Sequence, residues 1–117
     1  MRVKRGVASH AKHKKVMAQT KGMIKVRRSS IKKAKEALLK VWSYQYRDRR
    51  NKKRDLRAVW ITRIGNASSA LGMSYSRFTG ALKSNKIEID RKILAELAVN
   101  KPETFKQIVD KVSSENF

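Results

Sequence analysis

Seven cations fall within the eleven residues from Arg47 to Arg57: Arg47, Arg49, Arg50, Lys52, Lys53, Arg54 and Arg57. Their chemistry is phosphate neutralisation, Arg offering a planar fork of donors and Lys a compact point charge. On a helix they point in nearly all directions. Like charges three and four residues apart weaken an isolated helix. Asp48 stands near Lys52 and Asp55 is surrounded by cations, yet two acids do not neutralise seven bases. A solvated surface helix carries its cations on one face, whereas charge all round fits a helix enclosed by phosphates on several sides. Trp42, Tyr44 and Tyr46 lie beside this run. Such rings stack on unpaired bases; the alternative for Trp42 is packing on the few apolar residues near it.

Other reactive side chains are sparse. His10 and His13 are three apart among lysines, with no acid or further ligand in residues 1–35. Metal binding needs more ligands than that, and both read as polar contacts of a basic segment. Glu88 and Asp90 are two apart, but no nucleophile or second base accompanies them, so a helix cap and a surface acid are expected. Cysteine is absent, which removes disulfides, thiolate metal sites and a thiol nucleophile. No phosphate-binding loop, dinucleotide fingerprint or nucleophile elbow occurs. The expectation is a protein without catalytic residues, cofactor, metal or small-molecule substrate.

The elements that must carry this charge follow from its distribution. The chain has 117 residues, 30 of them Lys or Arg and nine Asp or Glu, for a net charge of +21. One folded core is the most that length supports, and such a charge calls for a polyanionic partner. Nucleic acid comes first and an anionic membrane surface second. No stretch of about 18 apolar residues is present to span a bilayer. No apolar run follows the basic start, so a secretory signal is not expected. The expected location is cytoplasmic, or inside an organelle.

Residues 1–57 hold 21 bases against Glu36, Asp48 and Asp55, whereas residues 58–117 hold nine bases against six acids. The division expected is therefore a basic arm, 1–57, and a small globular domain, 58–117. An arm at +18 is too charged to bury a core of its own. Its tip, 1–28, has scattered apolar residues and interruptions at Gly6 and Gly22, so irregular or short helical pieces are expected there. From about residue 30 a long helix is expected, with Ser29 or Ser30 as cap and Ile31, Ala34, Ala37, Leu38, Val41 and Trp42 at helical spacing. No Gly or Pro lies between Met23 and Ile64, so the helix can run on towards Leu71, with a break near Asn51 or Asp55 left open.

Beyond that, Gly72 suits a helix-closing left-handed position. Ser74 and Asp90 suit caps, Asn85 and Lys86 a turn, and Pro102 a first helical residue. Alternating β-branched runs are absent, so the fold class is all-α. The expected core is Trp60, Ile64, Leu71, Phe78, Leu82, Ile93, Leu97, Phe105, Ile108 and Val112.

RNA is favoured over DNA. A site-specific DNA reader offers one helix to a groove with a compact domain behind it, whereas here the basic arm is as long as the domain. Folded RNA has crevices such an arm can thread, and Arg suits both phosphates and unstacked bases.

The opening MRVKRGV, the block YRDRRNKKRDLRAVWITRI, the segment MSYSRF and the stretch IEIDRKILAELA resemble the family of the protein numbered twenty in the bacterial-type large ribosomal subunit. The resemblance runs from Arg2 to about Val112. It implies a helical C-terminal domain on a basic N-terminal extension buried in large-subunit (23S-type) rRNA, and early binding in subunit assembly. Positions matching the family imply rRNA contacts by Arg2, Lys4, Arg5, His13, Lys14 and Lys15 in the tip. Further contacts are implied for Arg47, Arg49, Arg50, Lys53, Arg54, Arg57 and Arg63 in the rod, and for Tyr75, Ser76 and Arg77 on the domain. The stretch KGMIKVRRSS departs from the family's glycine- and aromatic-rich patch. Gly65 and Asn66 stand where helix formers are more usual, so the helix is expected to be weaker there. The function expected is that of a structural constituent of the large subunit, partnered by its rRNA and neighbouring ribosomal proteins. A nucleoid-type DNA-binding protein is the alternative, and a small nuclease, lacking an acid–base pair, the distant third.

Overall fold

The computed structural model describes residues 2–115, which form helices and no strand. The all-α expectation matches. In chain order the elements are α1 (Gly6–Gln19), a 3₁₀ turn (Lys25–Arg28), α2 (Ile31–Ala70), α3 (Tyr75–Ser84), α4 (Arg91–Asn100) and α5 (Pro102–Ser114). They group into two compact units, Met1–Arg50 and Asn51–Phe117. Helix α2 contributes residues to both, and its helical backbone is unbroken at Asn51, Asp55, Gly65 and Asn66.

The first unit buries little. Among its described residues only Thr20, Ala34 and Leu38 are fully enclosed. Ala34 and Leu38 are four apart and so share one face of α2. The Thr20 hydroxyl donates to the Met17 carbonyl at 3.2 Å, inside the turn that ends α1. Gly22 continues this turn at φ +89°, where an L side chain would be strained.

The tip is more regular than its apolar spacing suggests. Helix α1 spans 14 residues yet buries none of them. A hydrophobic stripe reports a helix that packs, and in α1 only Gly6, Val16 and Met17 are even partly covered. Its residues Ala8, Ala11, Lys12, Lys14, Lys15, Met17 and Ala18 are good helix formers by themselves, and that propensity is what the stripe criterion overlooks.

The second unit holds the apolar core. Ile64 of α2, Phe78, Ala81 and Leu82 of α3, Leu94 and Ala95 of α4, and Phe105, Val109 and Val112 of α5 are buried together. The rings of Phe78 and Phe105 meet tilted, with centroids 5.4 Å apart, a favoured aromatic geometry. Trp60, Leu97 and Ile108 pack against this cluster from partly buried positions. Two expected core residues lie outside it, Leu71 at 38% and Ile93 at 48% exposure. Leu71 falls just after α2, where the chain leaves the helical path. In α4 the apolar arc, Ile93 to Ala95 and Leu97 to Val99, is wider than the face that packs, and Leu94 and Ala95 occupy its centre.

Helix ends follow local chemistry. At the end of α2 the Gly72 N–H donates to Ser69 and the Met73 N–H to Ser68, both at 3.0 Å, with Gly72 at φ +84°. This is the paired Schellman closure. The same pattern ends α3, with Lys86 bonded to Lys83 at 3.1 Å and Ile87 to Leu82 at 2.9 Å. Ser74 accepts from the Arg77 N–H at 3.4 Å at the start of α3. Asp90 occupies the cap position of α4 with extended backbone but makes no side-chain cap bond, so its part there is confined to its charge beside the helix start. Pro102 opens α5 and Glu103 stands in its first turn.

Candidate nucleic-acid interface

Charge in the first unit is almost wholly outward. Its residues 1–50 carry 17 Lys and Arg against Glu36 and Asp48, and each of these cations is exposed. Lys33 meets Glu36 at 3.3 Å and Arg47 meets Asp48 at 3.0 Å, both pairs on the surface. Asp48, expected near Lys52, thus turns to its sequence neighbour. Exposed pairs of this kind contribute about 0–1 kcal/mol and leave the field strongly positive. Of the tip residues, Arg2, Lys4 and Arg5 precede α1, and His13, Lys14 and Lys15 lie on it, all exposed. Among the described residues no group of three or more His, Asp or Glu is placed to hold a metal, and His10 and His13 form no such site.

On α2, Trp42, Tyr44 and Tyr46 are 51%, 47% and 56% exposed. Trp42 thus keeps about half of its surface open. The Arg47 guanidinium lies over the Tyr44 ring at 4.5 Å, and that of Arg50 over the Tyr46 ring at 3.6 Å. Arg50 also donates to the Tyr46 carbonyl at 3.2 Å. Cation and ring hold each other in place, and each pair presents a flat, charged platform of the kind that takes a base above and a phosphate beside it. Arg49 is exposed on the same helix.

In the second unit Lys52, Lys53, Arg54, Arg57 and Arg63 of α2 are exposed. Arg54 donates to the Asn51 side-chain oxygen at 2.9 Å. At the start of α3, Ser76 and Arg77 are exposed, while Tyr75 is half-buried. Its Oη accepts from Arg91 Nε at 3.0 Å. The Tyr75 Cβ lies 3.7 Å from the position a side chain on Gly65 would take. Half-buried Arg91 is thereby tied to the start of α3 through Tyr75. Sequence reasoning missed Arg91 because the contact spans 16 positions and no local motif announces it. It likewise missed a cleft in the first unit between the 3₁₀ turn and α2.

The described residues form an all-helical, strongly basic protein with cations and rings turned outward, and none of its described helices is long and apolar enough to cross a membrane. The particular family is defined by comparison. Residues 2–108 match the family described as Ribosomal protein L20, and the chain belongs to that family. It is 51% identical over 113 residues to the large ribosomal subunit protein bL20 of Methylorubrum extorquens (strain PA1), covering 97% of this chain and 93% of the relative. Identity to the bL20 of Pelagibacter ubique (strain HTCC1062) is also 51% over 113 residues, covering 97% and 96%. With the bL20 of Leptothrix cholodnii it is 49% over 114 residues, covering 97% of each chain. The chain is thus a ribosomal protein.

Proposed function

We propose that this ribosomal protein is a structural constituent of the large subunit that binds large-subunit rRNA directly and organises it early in assembly. The observation that carries the reading is the first unit's outward charge, 17 cations on a thin core with two acids to oppose them. A surface of that kind repels itself in isolation and is stabilised by a polyanion folded around it. The arm, 1–57, inserts between rRNA helices and neutralises crowded phosphates. The domain, 58–117, docks on an RNA surface through Ser76, Arg77 and Arg91 and on neighbouring ribosomal proteins. Its place is in the ribosome, and the chemistry is electrostatic and conformational rather than catalytic.

The test is competition. The full chain is bound to large-subunit rRNA and challenged with excess duplex chromosomal DNA. Retention on the rRNA is expected. Equal partition between the two would favour the nucleoid-type alternative. For the assembly role, omission of the protein from stepwise reconstitution should stall compaction of the rRNA before most other proteins have joined.

A further inference from the structure

A cleft of about 410 Å³ opens in the first unit between the 3₁₀ turn and the start of α2. Its walls carry Arg27, Lys33 and Lys40, the Glu36 carboxylate and the Tyr44 ring, over a floor that includes Ala37.

The lining is too mixed for a bare phosphate. Phosphate alone would use the three cations and leave the ring, the apolar floor and the carboxylate without a role. Together these groups match the parts of one nucleotide. Three cations against one carboxylate leave net positive charge for the phosphate. An aromatic ring and apolar floor suit the face of an unstacked base, a contact that tolerates any base. A carboxylate accepts from the exocyclic amine of adenine, cytosine or guanine, whereas uracil has none to offer. Glu36 meets Lys33 at 3.3 Å, and a carboxylate has about four lone-pair sites, so capacity remains for a base. The volume lies within the range of small-ligand clefts, about 300–1,000 Å³.

We propose that this cleft receives one extruded, amino-bearing nucleotide of the RNA, its base against Tyr44 and Glu36 and its phosphate on Arg27, Lys33 and Lys40. The proposal rests on the rRNA-binding reading above and assigns it a base-specific contact within an otherwise phosphate-directed unit.

Base-specific chemical probing of large-subunit rRNA tests it, with dimethyl sulfate for adenine and cytosine and kethoxal for guanine. The full chain should protect an unpaired base that becomes reactive again with Tyr44→Leu and with Ala37→Trp, which fills the floor. Both variants should bind about 10-fold or more weaker, the loss of one stacked base, with unchanged dependence on salt. Arg49→Ala, outside the cleft, should instead reduce that dependence and keep the base protected. Circular dichroism confirms that each variant keeps its helices. The parent footprint requires no variant, so absence of any protected unpaired base would itself overturn the proposal. So would protection that persists in both cleft variants. Defects confined to assembled particles, with free rRNA bound normally, would assign the cleft to a neighbouring protein and likewise overturn it. Failure of the parent chain to prefer rRNA over duplex DNA is a different result, and it would remove the underlying reading.

Discussion

Gly72 and Lys86 stand in equivalent left-handed positions closing α2 and α3, with φ +84° and +54°. The two substitutions that exchange their character should act in opposite directions. Gly72 has open space around it, so Gly72→Ala brings no clash, and its cost of about 1–2 kcal/mol comes from the backbone alone. Lys86→Gly relieves the same strain but frees the unfolded chain, leaving a net gain of about 0.5–1 kcal/mol. Thermal melts of the full chain check both signs. Gly72 was readable from sequence because glycine after an apolar-periodic stretch has one common use. Lys86 was readable only as part of a turn, since lysine announces no backbone conformation and Asn85 is the better candidate for the left-handed position. Phe105→Ala is the large effect of the core. Phe105 is 1% exposed and meets Phe78, so truncation should cost about 3–5 kcal/mol. Arg49→Ala, on an exposed residue, should leave the melting temperature unchanged and weaken RNA binding. Equal thermal losses in the two variants would contradict the separation of core from binding surface.

At the scale of elements, what was legible depended on whether a helix packs. Helix α5 shows Phe105, Ile108, Val109 and Val112 at one spacing, and three of the four are fully buried. In α4 the apolar arc runs past the packing face, so Ile93 stays 48% exposed while Leu94 beside it is buried. Helix α1 left no stripe, and none of its residues is fully buried. The same distinction governs the candidate site. The cation run and the flanking rings were visible in the sequence because side-chain type alone defines them. The Tyr75–Arg91 contact and the cleft on α2 depend on how separate segments fold together. Helices without a core should also be the ones that open. Amide exchange in the RNA-free full chain should be fast through α1 and the first turns of α2 and slow in α3 and α5, because local opening is cheap where few apolar contacts are lost. Comparable protection throughout would show that the first unit is stable without a partner. Within α3, Gly80 is exposed with nothing near its missing Cβ. Gly80→Ala should stabilise the second unit by about 0.8–1 kcal/mol, the helix propensity difference, read as a rise in the melting temperature.

For the whole molecule the governing quantity is the imbalance of charge, +21 in 117 residues with 21 of the 30 bases before Ala58. Binding that releases condensed counterions must weaken as salt rises, because each freed cation gains less entropy in a concentrated solution. If a third to a half of the arm's bases reach phosphates, roughly 7–10 contacts form, and the logarithm of the binding constant should fall against log salt with a slope between about −5 and −9. The fragment 58–117 holds nine bases against six acids and should show a much shallower slope. It should still discriminate among RNA sites, since contacts from Ser76, Arg77 and Arg91 depend on shape and 2′-hydroxyls more than on net charge. Affinity would then come mainly from the arm and placement mainly from the domain. A salt titration of the full chain and of the fragment on large-subunit rRNA measures both quantities. A fragment with the full chain's slope would locate the electrostatic anchor in the domain, and the exposed cations of α1 and the first half of α2 would need another partner.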